Sequence, residues 1–332
     1  MKEASYYDKL NGAVRCFLCP KNCVIQQDCL GFCNTRQNRN GRLYSLVFGK
    51  PCALNVDPIE KKPLYHFLPG NAALSIGTVG CNFRCRNCQN WDIAMAKPGD
   101  VSTHDLAPEQ VVDLAKEKNC SIIAYTYNEP AVYYEYMLKT AKIAGKEGIR
   151  NIIVSNGFIN PAPLKELCRY IDSANIDLKS FDDDFYRNIC SGKIGPVLDS
   201  LKILKKEGVW LEVTNLLIPG KNDDLEVIGK MCRWIKENLG KDTPLHFSGF
   251  HQQYKMKDVE PTKVITLENA RSAASKYLDY VYIGNVQSEK GNNTYCPECN
   301  NLLISRYGFE IAENNLENGK CSCGHEVSGV WQ

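Results

Sequence analysis

Apolar and polar positions alternate in blocks through the middle of the chain. Short β-rich apolar runs stand at 73-ALSIGTV, 121-SIIAYT, 151-NIIVS, 174-ANIDL, 209-VWLEVTNLLI, 244-PLHFS and 280-YVYIG. Between them lie stretches of helical period: 107-APEQVVDLAKEK, 131-AVYYEYMLKTAKIAGKEG, 162-APLKELCRYI, 197-VLDSLKILKKEG and 225-LEVIGKMCRWIKENL. Strands alternating with helices make βα units and a parallel sheet. Six or seven units at intervals of roughly 30 residues suggest a full or partial barrel rather than an open dinucleotide fold. No GxGxxG follows the first strand.

The pattern fades at both ends, which predicts three parts. Residues 1–70 make a cysteine-rich N-terminal extension, whose first 50 residues are rich in Cys, Asn, Arg and Gly with little periodicity; residues 71–290 carry the barrel; residues 291–332 are Cys/Gly-rich and weakly β-like. Both flanks look too small to fold on apolar burial alone, so each is expected to need a metal.

Composition narrows the class. Apolar residues make up 44% of the 332, enough for a sizeable core, and the net charge of +2 argues against a general nucleic-acid binder. No run of roughly 18 apolar residues predicts a membrane span, and the start, MKEASYYDKLNG, lacks the apolar stretch of a signal peptide. Seventeen cysteines in a long chain, clustered at 16–33, 81–88 and 296–323, favour metal ligation in a reducing cytoplasm over a disulfide framework. Cys52, Cys120, Cys168, Cys190 and Cys232 are scattered and read as packed or free thiols.

Each predicted strand ends in polar, Gly or Pro residues. In parallel barrels such loops converge on one mouth, and the first of them is 80-GCNFRCRNCQNW-91. Its Cys81-x3-Cys85-x2-Cys88 is short enough to wrap one cubane, three thiolates holding three irons of a [4Fe–4S] cluster and leaving the fourth to a non-protein ligand. That open iron can chelate the amino and carboxylate groups of S-adenosylmethionine (SAM). The alternatives are a zinc site completed by a distant ligand, or core cysteines.

The motif and barrel resemble the radical SAM superfamily. More closely, 15-RCFLCPKNC, 31-GFC, 57-DPIEKKPLYHFLPG, 76-IGTVGCNFRC, 88-CQNW, 126-TYNEP, 155-SNGF and 176-IDLKSF resemble the radical SAM member of the AmmeMemoRadiSam system, a group similar to the pyruvate formate-lyase activating enzymes. The resemblance implies a partial (β/α)6 barrel and reductive cleavage of SAM to methionine and a 5′-deoxyadenosyl radical that abstracts hydrogen from a substrate. It places Glu129 at the SAM amine, and Ser155, Asn156, Asp177 and Lys179 near the ribose and carboxylate. Asn215 and His246 are expected to end strands five and six and face the mouth. Asp177 with Lys179 also reads as a structural ion pair, and His246 as a barrel histidine. The family's aromatic before the last cluster cysteine is Asn87 in this chain, with Phe83 or Trp91 as substitutes at the adenine. A ferredoxin or flavodoxin is the natural electron donor, and the grouping implies a Memo-like protein in a shared pathway. Activation of a glycyl radical partner enzyme is the alternative within the superfamily; a non-catalytic metal-binding interaction protein is the alternative outside it.

The outer cysteines form two further sets. Cys16, Cys19, Cys23 and Cys33 suit a four-cysteine zinc site or a second iron–sulfur cluster, zinc being commoner in small irregular segments, and Cys29 competes as a ligand. Cys296, Cys299, Cys321 and Cys323 read as a zinc ribbon whose second pair is one residue tighter than usual, so that His325 competes. Within 57-DPIEKKPLYHF-67, His66 is a candidate for substrate contact through proximity to the mouth.

Overall fold

The computed structural model describes residues 1–286, 288 and 291–332. Its centre is an eight-stranded sheet. The strands in chain order are β1 (Ala53–Pro58), β2 (Ala72–Gly77), β3 (Ile122–Tyr125), β4 (Arg150–Ser155), β5 (Ser173–Asp177), β6 (Trp210–Leu217), β7 (Leu245–Gly249) and β8 (Val281–Gly284). Spatial order follows chain order. The pairs from β2 to β8 are parallel, and β1 joins β2 antiparallel. Six of the parallel strands lead into helices, giving the partial (β/α)6 barrel, with β8 as a seventh parallel strand. β1 belongs to this sheet, so the boundary expected at residue 70 runs through it.

The helices follow the periodic stretches: α1 (Pro108–Glu117), α2 (Tyr134–Lys146), α3 (Pro161–Cys168), α4 (Gly195–Lys206) and α5 (Leu225–Leu239). Proline at the first turn starts α1 and α3. The Asp224 carboxylate caps α5, accepting from the Glu226 and Val227 amides at 2.7 and 3.2 Å. A sixth helix, α6 (Val264–Ala274), has a thin buried stripe of Leu267, Ala270 and Ala274, and the sequence pattern did not mark it. Among the described residues no helix is long and apolar enough to cross a membrane.

Alternate strand residues divide between two environments. Ile123, Ile153, Ala174 and Val213 pack outward in the main core with the helices. Ala73, Ile122, Ala124 and Ile152 point inward, where Ile59, Leu64, Phe67 and Leu68 close the lower end of the barrel. Higher on the inner face, Val154, Asp177, Leu216, Ser248 and Gly284 are half-buried. The barrel is therefore plugged below and open at the carboxyl ends of its strands.

Both flanks are built from short antiparallel strands. Residues 2–45 form two three-stranded sheets, and Val14, Leu18, Ile25 and Leu43 join the barrel's main core. The C-terminal strands Thr294–Tyr295, Leu302–Tyr307 and Glu310–Asn314 form a third small sheet beneath the barrel. Its core is separate and includes Leu303, Ile304 and Val327 together with Tyr65, Tyr280 and Tyr282 from the barrel side.

Candidate functional site

The loop after β2 carries Cys81, Cys85 and Cys88, all half-buried at the mouth. Two backbone bonds pin it to the segment after β5: the Arg84 amide donates to the Cys190 carbonyl (2.9 Å) and the Arg86 amide to the Ile189 carbonyl (3.0 Å). A third comes from the loop after β7, where the Lys255 amide donates to the Arg86 carbonyl (3.0 Å). Phe83 anchors the loop from within. It is fully buried, its ring lies 4.9 Å from Phe158 and 6.1 Å from Tyr186, and a Cβ on Gly192 would sit 2.3 Å from it.

Donors and charges surround the sulfurs. The Phe83 amide donates to Cys81 Sγ at 3.4 Å, and Asn156 Nδ2 reaches the same sulfur at 3.9 Å while bonding Asn82 Oδ1 at 2.8 Å. Burial pushes the Cys81 thiol up, and the Cys88 thiol to about 11, so bound metal would displace their protons. Cys85 moves the other way: a hydrogen bond with Cys190 draws its pKa down, opposing burial, and the Lys179 ammonium assists. Lys179 pairs with Asp177 at 3.0 Å, and the Lys179 amide donates to the Tyr186 hydroxyl (3.0 Å). Cys190, read from the sequence as a packed or free thiol, is therefore a neighbour of the site. No local spacing marked it.

Glu129, Ser155 and Asn156 do come together, but through bonds to one another. One Glu129 oxygen accepts from the Ala131 amide (3.0 Å) and the Ser155 hydroxyl (2.8 Å), the other from the Asn156 amide (2.8 Å). Burial raises this carboxyl to about 7 against the pull of those three donors. Ser155 shares the outward parity of Ile153, so the carboxylate braces the ends of β3 and β4 from the helix side.

Two expected mouth residues lie elsewhere. Asn215 shares the outward parity of Leu211 and Val213, and its Nδ2 donates to the Leu178 carbonyl at 2.6 Å. His246 is the second residue of β7, not its last. It faces inward low in the barrel, its Nε2 2.7 Å from Glu212 Oε2 and its ring 4.8 Å from Tyr65. His66 is also remote from the mouth: its ring is fully buried, with Nδ1 2.7 Å from the Ser328 carbonyl and Nε2 2.5 Å from the Tyr282 hydroxyl. The segment 57–67 is the barrel's lower plug, which is why Asp57, Glu60, Lys62 and His66 are buried while Lys61 stays exposed.

The mouth fits a cluster with SAM. The three thiols share one loop with amide donors aimed at sulfur, and Lys179 supplies positive charge. Asn87 is buried at 8% exposure with its Oδ1 unpartnered, an acceptor awaiting a donor between two of the cysteines. Phe83, committed to the core, does not offer an aromatic face, and Trp91 is stacked on Tyr254 at 5.2 Å.

The C-terminal thiols form a different kind of group. The sulfurs of Cys296, Cys299, Cys321 and Cys323 all lie within 4.8 Å of one another, the single set of cysteine, histidine and carboxylate ligands so gathered among the described residues. Cys296 and Cys323 are 3.7 Å apart, Cys299 and Cys321 3.5 Å. His325 is outside the set and accepts a backbone bond from the Cys321 amide. The tight Cys321-x-Cys323 pair closes the group unaided.

Comparison with known proteins adds an independent line. A family model described as the radical SAM superfamily matches residues 75–232. An uncharacterized protein of Methanocaldococcus jannaschii is 46% identical over 335 residues, covering 99% of this chain and 100% of its own length. The pyruvate formate-lyase-activating enzyme of Clostridium pasteurianum is 25% identical over 212 residues, covering 60% of this chain and 87% of its own. Among solved structures, a radical SAM methyltransferase from Sphaerobacter thermophilus superposes with a TM-score of 0.51 at 14% identity, over 68% of this chain and 69% of that one. Streptococcus suis SuiB bound to S-adenosylmethionine gives 0.50 at 14% identity, over 68% and 52%. At these identities the structural likeness concerns the fold.

Proposed function

Because the chain belongs to the radical SAM superfamily, we propose that it is an enzyme whose Cys81, Cys85 and Cys88 hold a [4Fe–4S] cluster with one iron left to SAM. The observation that carries the reading is the cysteine loop itself, fixed at the mouth of a barrel that is closed below and open above. When bound, the cluster and SAM supply a 5′-deoxyadenosyl radical by one-electron cleavage of the sulfonium.

The chain's own residues bind and orient. Lys179 offsets thiolate charge beside Cys85, and Asp177 faces the open interior as an acceptor for a ligand ammonium or hydroxyl. Asn87 Oδ1 is an acceptor at the height of the cysteines, suited to an adenine amino group. Glu129 accepts from the Asn156 backbone amide and so fixes Asn156, whose side-chain amide lies 3.9 Å from Cys81 Sγ. The half-buried ring of Val154, Leu216 and Ser248 is where a substrate would enter. The C-terminal tetrad is assigned to zinc: four thiolates about 2.3 Å from a tetrahedral ion lie about 3.8 Å from one another, close to the spacings seen.

Anaerobic purification tests the reading. The protein should be brown, absorb near about 400 nm, and release methionine and 5′-deoxyadenosine from SAM on dithionite reduction. Cys85→Ala should abolish cleavage with the fold retained; cleavage surviving that change would overturn the assignment. Glu129→Ala should weaken SAM binding by about 1–3 kcal/mol, the cost of unpairing charged hydrogen bonds, by loosening Asn156. Similarity to pyruvate formate-lyase-activating enzymes favours activation of a glycyl radical partner as the second reading. Appearance of a protein-centred glycyl radical in a candidate partner would select it.

A further inference from the structure

We infer that the chain holds a second iron–sulfur cluster, ligated by Cys16, Cys19, Cys23 and Cys33, in the hollow between the N-terminal sheets and the barrel. All four cysteines line one hollow, together with Leu18, Ile25, Phe32 and Val132. Cys29, the competing ligand, is exposed and does not line it.

Two observations bear on the site, and the first, spacing, selects a cluster over a single ion. Among the described residues these four thiols do not gather within 4.8 Å, whereas the C-terminal four do. Cys81, Cys85 and Cys88 likewise form no set that tight among the described residues. The inference rests on the cluster reading of those three for this calibration, since a cubane holds its thiolates farther apart than one ion does. The second is charge and donors. Arg36 lines the hollow at 1% exposure, and its Nε is buried with no hydrogen-bond partner although its other nitrogens bond Glu135 and the Ser5 carbonyl. A cluster's sulfides give that N–H an acceptor, and the anionic charge of four thiolates meets the guanidinium.

The two sites share a wall. Asn82, next to Cys81, also lines the hollow. Lys21 stands between the groups, its charge acting on Cys19, Cys23 and Cys81 alike, with its ammonium 3.9 Å over the Phe32 ring. Four thiolates on four irons leave none open, so this second cluster takes no SAM and its chemistry is one-electron transfer.

The test is anaerobic reconstitution with ferrous iron and sulfide. The wild type should bind about eight irons, two cubanes of four. The triple variant Cys81→Ser/Cys85→Ser/Cys88→Ser should keep half the iron and half the absorption, and lose all SAM cleavage. The quadruple variant Cys16→Ser/Cys19→Ser/Cys23→Ser/Cys33→Ser should keep the other half. An iron-free triple variant carrying two zinc ions per chain overturns the second cluster and leaves the catalytic reading intact. An iron-free quadruple variant beside an iron-bearing triple variant overturns the catalytic reading instead. Should the quadruple variant fail to fold, the dithionite-reduced wild type decides by electron paramagnetic resonance. Two overlapping cluster signals, only one shifted by SAM, support the inference; one signal that shifts entirely refutes it.

Discussion

At the C-terminal end four sulfurs stand ready at single-ion spacing, around a small core of their own. At the N-terminal end four thiols face a hollow, and the strands beside them share the barrel's main core. The ends are nevertheless fastened alike, each by a buried arginine. Arg36 makes two 2.8 Å bonds to Glu135. Arg306 bonds the Tyr65 carbonyl at 2.8 Å, Thr294 at 2.9 Å and the Asn292 carbonyl at 3.1 Å, with Glu60 3.8 Å away. The difference lies in what each metal does for the fold. A metal at the C-terminal set would reinforce a small core of eight buried residues, while one at the N-terminal set would sit beside a large core that already exists.

The sharpest break of this contrast is metal removal. Structural zinc supplies about 10–16 kcal/mol in small finger peptides, so Cys299→Ser/Cys323→Ser should release the ribbon as an exchanging, protease-sensitive tail. Hydrogen exchange over residues 294–327 would report it. The N-terminal pair Cys19→Ser/Cys23→Ser should leave amide protection in Ala13–Cys16 and Arg36–Arg39 largely in place. Equal loss of protection at both ends would erase the distinction.

Next come the arginines. Truncating one partner of a buried pair costs about 3–5 kcal/mol through the charge left behind. Arg306→Ala strands Glu60, whose pKa burial already raises, and should lower stability to chemical denaturation by that amount without touching iron content. Arg36→Ala strands Glu135 at similar cost but should also reduce the N-terminal iron. Iron unchanged in Arg36→Ala would separate that residue from the hollow's ligand.

These long-range fastenings are what the sequence conceals. The strand runs, five of the six helices of eight or more residues among the described residues, and the cysteine groups were legible because period and spacing are local signals. The end of the barrel to which a side chain belongs was not. His246 sits in 244-PLHFS, and only the register 213–217 against 245–249 shows that it pairs low in the barrel. His66 is buried because Ser328 and Tyr282, far along the chain, reach it. Cys190 meets Cys85 through a strap whose sequence, SFDDDFYRNIC, carries no spacing toward the motif. Asn87 was legible as a departure from a family pattern, and the structure adds its unpartnered oxygen.

A gentler probe of the same contrast is acid. The N-terminal segment contains no histidine before His66, whereas the C-terminal junction depends on that one. Burial lowers the His66 pKa to about 4, against about 6.5 unfolded. The proton therefore binds the unfolded chain more tightly. Stability is intact above about pH 6.5 and falls as pH drops toward 4, by about 3 kcal/mol in all. The difference between wild type and His66→Gln across that window isolates the effect from thiol titration. A pH-independent difference would mean that the ring is not held neutral.

The smallest effects belong to two glycines at the seams. Gly80 has φ +88°, and a Cβ there would lie 2.4 Å from both the Cys33 carbonyl oxygen and Thr35 Cγ2, the first an atom of the backbone. Gly329 would meet the Trp331 ring at 2.3 Å and the His66 carbonyl at 2.9 Å, with no positive φ. A left-handed alanine pressed against a fixed carbonyl has no relief, so Gly80→Ala should cost about 1–3 kcal/mol and reduce iron at both cluster sites, because the same residue precedes Cys81 and abuts Cys33. At Gly329 the backbone is one an alanine adopts freely, and the two nearest atoms belong to the half-buried Trp331 ring, a side chain that can shift, leaving only the His66 carbonyl oxygen fixed at 2.9 Å. Gly329→Ala should cost less than about 1 kcal/mol and leave iron and zinc unchanged. Thermal denaturation with metal analysis of the two variants compares the seams directly. A costlier Gly329→Ala would mean that the C-terminal seam is the rigid one, and that the N-terminal module yields where its core is shared.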